Sequence, residues 1–230
     1  MTWRWVTFFS LAAAAWCANV TGKVAVTDSK LAREKDDSGV VVWLDPVAGA
    51  APATPPATAS VAHKKKTFVP HVVALRTNSK VAFPNLDPFF HNAFSNYDGQ
   101  IFDVGLRPPG STPEVTFTRP GIVRLFCNIH PTMSAIIVVL PNDWLAVTGS
   151  SGQYTISGVP PGDYQLSIFH ERALPENLRF LEHRITVPSS GLVLPLISIS
   201  ETGFIAAPHM NKFNRPYPPS TPGGTYIGGK

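Results

Sequence analysis

The chain has 230 residues, enough for one large domain or two small ones. Only 15% of them are charged, and the net charge of +4 is spread along the chain, so no nucleic-acid-binding module can be read from it. Short β-branched runs separated by Gly and by many of the 23 prolines describe an all-β protein with numerous turns.

Taken in chain order, residues 1–18 read as a secretory signal peptide. Arg4 supplies the positive charge, residues 6–15 are an apolar stretch too short to span a bilayer, and small residues follow. The expected product is secreted or periplasmic, with no membrane span once the signal is cleaved. Trp16 stands where a lipoprotein signal needs a small residue, which disfavours a lipid anchor on Cys17. Cys127 is then the single thiol of the mature chain, and an exported protein with one unpaired Cys calls for a role for it.

Residues 20–26 and 39–46 read as strands, the second ending at Pro46. Residues 47–61 form an Ala/Pro-rich linker, and Lys64, Lys65 and Lys66 read as its solvated end rather than as a docking patch. The segment 62–141 carries strands at 68–69, 72–75, 80–83, 101–104, 115–118, 121–127 and 135–140, with the first two expected to pair with 80–83. A turn at 84–88 leads to His91. Beyond Pro141 the pattern changes through 142–203, and 204–230 reads as a flexible Pro/Gly tail whose Tyr217 and Tyr226 could dock locally.

Chemistry concentrates after Gly121. A strand runs into Cys127-Asn-Ile-His130-Pro-Thr-Met133, which places a thiol, an imidazole and a thioether on one short loop. Two histidines, one Cys and a weak axial Met make up a blue-copper ligand set, and His91 supplies the second imidazole. Thiolate and thioether suit Cu(I) while imidazole suits Cu(II), so the mixed set serves both charges. A Cys at a strand end is more often a small buried hydrophobe, and a lone His is more often structural. Here, however, the rare residue types fall together at ligand spacing. The other histidines, His63, His71, His170, His183 and His209, read as structural or surface residues, with the His170–Glu171 pair the one to watch.

Residues from about 66 to 140 resemble a cupredoxin, the fold of plastocyanin, azurin and amicyanin. The match runs through Thr67-Phe68-Val69-Pro70, Val81-Ala82-Phe83, Asn85-x-Asp87, His91-Asn92 and the Cys-x2-His-x2-Met loop, whose spacing is closest to amicyanin. Two departures stand out: Ile129 precedes His130 where Pro is common, and Asn78-Ser79 occupies a turn where Gly is common. The resemblance implies a Greek-key β-sandwich holding one type 1 copper on His91, Cys127, His130 and Met133. It also implies that Asn92 bonds toward the Cys loop, and that electrons pass at the edge formed by Phe89, Phe90, Ile129 and Pro131. Residues 148–171, with Gly152-Gln-Tyr154 and Val159-Pro-Pro-Gly162-Asp-Tyr164, resemble a carboxypeptidase regulatory-like (transthyretin-like) β-sandwich. Its usual first two strands are missing after residue 141 but present in 20–46. The expected architecture is therefore a cupredoxin inserted in, or packed on, a split transthyretin-like domain built from 20–46 and 142–203.

The expected function is one-electron transfer with a redox partner protein, without enzymatic activity. No nucleophile–base constellation is readable, and a multicopper oxidase would need further His-rich motifs. A copper carrier using the same ligands and a structural or adhesive β-sandwich without metal stand as alternatives.

Overall fold

The structure, a computed structural model, describes residues 17–28, 36–49, 51, 54–96, 99–206 and 208–218. Most of the expected signal segment, residues 1–16, lies outside the described residues. Among those described, no helix is long and apolar enough to cross a membrane. The strands in chain order begin with β1 (Ala18–Thr27), β2 (Val41–Pro46), β3 (Thr58–Ser60), β4 (Ala62–Lys64), β5 (Thr67–Val69) and β6 (Val72–Arg76). They continue with β7 (Ser79–Ala82), β8 (Phe94–Ser95), β9 (Phe102–Asp103), β10 (Glu114–Phe117), β11 (Gly121–Phe126) and β12 (Ser134–Leu140). The last group is β13 (Leu145–Val147), β14 (Gln153–Val159), β15 (Gly162–Phe169), a single turn of helix α1 (Pro175–Arg179), β16 (His183–Val187), β17 (Leu192–Val193) and β18 (Ile197–Ser200).

These strands build two sandwiches. The inner one, from the middle of the chain, faces the sheet β6-β12-β11-β8-β9 against β10-β7-β3, with the β4–β5 hairpin at one end. The outer one takes strands from both ends of the chain: β1 pairs with β14, β17 and β18, and opposite it lies the sheet β13-β2-β15-β16. Both strands that precede the middle segment thus find their partners only after it.

Alternation explains why each run is where it is. Leu125 and Val123 of β11 and Val81 of β7 point into the inner core, with Phe83 and Phe117 at its centre. Val42 and Leu44 of β2 meet Leu166 and Ile168 of β15 in the outer core, alongside Val20, Val24, Ile156 and Ile199. Strand β12 is different, because Ser134–Leu140 is apolar and buried at every position after the first. Its odd positions, Ala135, Ile137 and Val139, join the inner core. Its even positions, Ile136, Val138 and Leu140, form a third cluster with Val72, Val41 and Phe169. That cluster joins the two sandwiches, so a strand apolar on both faces serves two cores at once. With each large side chain worth about 1.5–3 kcal/mol on burial, the joint is a fixed one.

Several sequence expectations change. The linker 47–61 is not unstructured at its end: β3 pairs in parallel with β7, and Val61 is fully buried in the inner core. The segments at 68–69 and 72–75 do not pair with 80–83. Instead β5 pairs with β4 and β6 runs parallel to β12, while β7 pairs with β10 and β3. Ala18, the last residue of the expected signal, is already part of β1 opposite Val159. Asn78 adopts φ 67° in the β6–β7 turn, the conformation Gly would otherwise supply there.

Candidate metal centre

Strand β11 delivers Cys127. Phe126 is held between Phe94 of β8 and Ser134 of β12, so the next residue enters the core with its thiol fully buried. The chain then turns within seven residues to start β12. The Met133 amide donates to the His130 carbonyl (3.1 Å) and the Cys127 amide to the Met133 carbonyl (3.3 Å), closing the loop on itself. His91 arrives on the segment before β8, fixed by reciprocal backbone bonds with Arg107 of 3.0 and 2.7 Å.

These elements bring three of the expected residues to one point. Cys127 Sγ lies 3.5 Å from His130 Nδ1 and 3.9 Å from His91 Nδ1, and all three donor atoms fall within 4.8 Å of one another. With metal–nitrogen and metal–sulfur bonds of about 2.0–2.3 Å, donors around one ion sit roughly 3.5 Å apart, so the spacing fits a single metal ion. Met133 is buried in the same core as Cys127. The group is the only one of its kind among the described residues.

The surroundings prepare the donors. His91 Nε2 is 2.8 Å from Asp87 Oδ2, and that carboxylate also accepts the amides of Lys65 (2.6 Å) and Lys66 (2.9 Å). An Asp with two amide donors is an acceptor, so Nε2 carries the proton and Nδ1 faces Cys127 with its lone pair. Burial pushes the Asp87 carboxyl up, but the two amides and His91 hold it below its usual value. Burial lowers His91, and it lowers His130 to about 4, with nearby positive charge adding to it, which keeps both rings neutral near pH 7. Burial also raises the Cys127 thiol, so its proton leaves on metal binding. Asn92 donates to Asp103 Oδ1 (2.7 Å) and the Gly105 carbonyl (2.9 Å), and its Oδ1 accepts the Asn128 amide (3.3 Å). Phe89 lies 5.1 Å from the His91 ring and 5.8 Å from that of His130. Phe90 is half exposed beside it, Pro131 is exposed and Ile129 is partly covered.

Two parts of this surround were not read from the sequence as neighbours of the site. His63, expected only as a structural or surface residue, is fully buried on β4 and stacks on His91 at 5.0 Å with planes 5° apart. Neither of its ring nitrogens makes a hydrogen bond of normal geometry, and burial drives its pKa to about 4. The alternation Val61-x-His63, with Val61 a core residue, was the available signal.

The second part is a correction to the flexible tail. Among its described residues, the arm 208–218 lies on the Cys loop. Tyr217 Oη donates to the Cys127 carbonyl (2.8 Å), His209 stacks on Phe126 at 4.1 Å, and the Lys212 amide donates to Asn128 Oδ1 (2.9 Å). Tyr226 lies outside the described residues. His170 is also placed differently, with Nε2 bonded to Glu201 at 2.8 Å, while Glu171 pairs with His71 at 2.8 Å.

No protein-family model and no curated protein matches the chain. Solved structures similar to it include a nitrite reductase, a purple cupredoxin and amicyanin variants. A Cu-containing nitrite reductase from Thermus scotoductus SA-01 is 30% identical over 42% of this chain, with a TM-score of 0.35. This chain spans 25% of that enzyme's length. A purple cupredoxin from Nitrosopumilus maritimus is 19% identical over 36% of this chain and 99% of its own, with a TM-score of 0.33. An amicyanin variant in its reduced state is 19% identical over 36% of this chain and 82% of its own, at 0.34. At such scores the reading of the site rests on its own geometry.

Proposed function

We propose that this chain is an exported type 1 copper protein of cupredoxin type that carries one electron at a time between partners and catalyses no reaction of its own. The observation that carries the reading is the convergence of one buried thiol and two neutral imidazoles at single-ion spacing. His91, Cys127 and His130 are the strong ligands, with Met133 the weak axial one. Bound copper supplies the one-electron couple. The protein's part is to hold the donors so that they move little between charge states. Asp87 orients His91, the closed loop fixes His130, and the inner core anchors Cys127 and Met133. Phe89, Phe90, Ile129 and Pro131 border the edge at which electrons pass. We read the outer sandwich as a split transthyretin-like unit, a reading supported by the pairing of β1 and β2 with strands that follow residue 141.

The test is a copper titration of residues 19–230 followed by visible absorption and electron paramagnetic resonance. An intense thiolate-to-copper band with narrow hyperfine splitting is expected, and Cys127→Ser abolishes it. Identical copper binding and spectrum in Cys127→Ser would overturn the assignment. Tight Cu(I) binding without the band would replace electron transfer with copper carriage.

A further inference from the structure

The three consecutive lysines are not the solvated end of a linker. They form the tip of the β4–β5 hairpin, which the structure places beside the metal centre. Lys65 and Lys66 take φ values of 54° and 57°, a left-handed pair that costs L-residues about 1–2 kcal/mol each and that Asn-Gly would adopt with less strain. Turn chemistry therefore does not account for lysine here, and the charge remains as what these residues contribute.

The hairpin tip is bolted down rather than loose. Both left-handed amides donate to the carboxylate that orients His91. With the backbone held inward, all three lysines are exposed. Among the described residues no ion pair engages their ammonium groups. The acidic groups near the centre are occupied elsewhere: Asp87 by the two amides and His91, and Asp103 by Asn92 and by Lys212 at 2.8 Å.

The charge also reaches the edge of the site. Lys66 Nζ sits 5.3 Å from the Phe89 ring centroid, and Phe89 lies against both His91 and His130. Leu86, whose amide donates to the His63 carbonyl of the same hairpin (2.9 Å), is 61% exposed, and Phe90 is 48% exposed. A fixed cationic tip beside a small apolar patch has the composition of a transient interface, in which charge steers the encounter and apolar contact seats it.

We propose that the Lys64–Lys66 tip with Leu86 and Phe90 is the docking surface for an acidic redox partner protein. The proposal rests on the reading of the site as an electron-transfer centre. It commits to an acidic protein rather than an anionic membrane, because three charges on one tight turn around a compact apolar patch match a local acidic patch and not an extended plane. The partner's carboxylates pair with ammonium groups that, among the described residues, have no internal ion pair to give up. Docking there places the partner against Phe89, in contact with both imidazoles.

The experiment compares the full copper-loaded chain with the triple variant Lys64→Gln, Lys65→Gln, Lys66→Gln. Oxidation of the reduced protein is followed by stopped flow with hexacyanoferrate(III), an anionic probe, and with tris(bipyridine)cobalt(III), a cationic one. Expected is a loss of about tenfold with the anion in the triple variant, no loss with the cation, and convergence of the two proteins at high salt. Equal rates for both proteins with the anion at low salt would overturn the proposal. A second measurement keeps this separate from the copper reading. In the metal-free chain, a short oligoglutamate peptide should shift the amide resonances of residues 64–66, Leu86 and Phe90, and should not do so in the variant. Lysine-dependent binding to phosphatidylglycerol vesicles with no effect of the peptide would overturn it in favour of a membrane surface.

Discussion

His63 shows how a single side chain can sit outside the ligand set and still matter to it. Its ring fills the space behind His91 in parallel contact, and its two nitrogens are buried without normal hydrogen bonds. Removing the ring in His63→Ala leaves a void against a ligand and should cost about 2–4 kcal/mol of unfolding free energy in the metal-free protein. His63→Phe keeps the stacked face and deletes the two unpaired nitrogens, so its stability should equal or exceed the parent's. Denaturant unfolding of both variants tests this, and an equal loss in the two would contradict it. The ligands themselves were legible because Cys and Met are rare in this chain and fall with His130 at loop spacing. Asp87 and His63 were not: their roles depend on a hairpin and a loop that meet only in three dimensions, and nothing in local pattern reports a ring stack or a shared carboxylate.

Among the elements, the arm 208–218 and strand β14 make separate demands. The arm bonds the Cys127 carbonyl through Tyr217 and the Asn128 side chain through the Lys212 amide, tying a terminal segment to the ligand loop. Tyr217→Phe deletes one hydrogen bond worth about 1 kcal/mol, and amide exchange in residues 127–133 of the metal-free protein should quicken about fivefold. Removing residues 208–230 should quicken it further. Unchanged exchange would mean that the loop stands without the arm. Pro and Gly made this stretch read as a tail, since composition reports the lack of regular structure and not the lack of contacts. Just before β14, Gly152 has φ 73°, a Cβ there would run into the Val24 carbonyl oxygen, and its own carbonyl accepts from the Val24 amide (2.8 Å). Gly152→Ala is therefore expected to destabilise the outer sandwich by about 2–3 kcal/mol, seen as a lowered unfolding midpoint. Strand existence was largely legible from alternation, whereas pairing was not. The apolar run of β12 fits any central position, and only the assembled sheets reveal that it lies between β6 and β11.

For the whole molecule, the joint between the two sandwiches is apolar at its centre and carries an ion pair between His71 of the inner unit and Glu171 of the outer. The bond to Glu171 raises His71 above its ordinary 6.5, so its contribution is complete below 6.5 and is lost as pH rises through the raised value. Burial pushes Glu171 up, but His71 and Arg172 hold it below its ordinary 4.5, so its contribution is complete above 4.5 and is lost as pH falls through the lowered value. The difference in melting temperature between the parent and His71→Asn should therefore be largest between 4.5 and 6.5 and shrink toward alkaline pH. A difference that stays constant into the alkaline range would rule the pair out as the source.

The pairing of β1 bears on how the chain comes into being. Val20 lies opposite Ile156 and beside Leu192, and Val24 lies beside Ile197, so β1, the first of the described strands, has no strand neighbour until β14, β17 and β18 follow. The segment that ends at Leu140, by contrast, holds all of its own partners and can fold while the rest is still emerging. The chain is thus built from the middle outward, with β1 and β2 left without strand partners until the strands that follow residue 141 emerge. In pulse-labelled refolding, amides of β11 and β12 should gain protection before those of β1, so the metal centre would take shape before the outer sandwich closes.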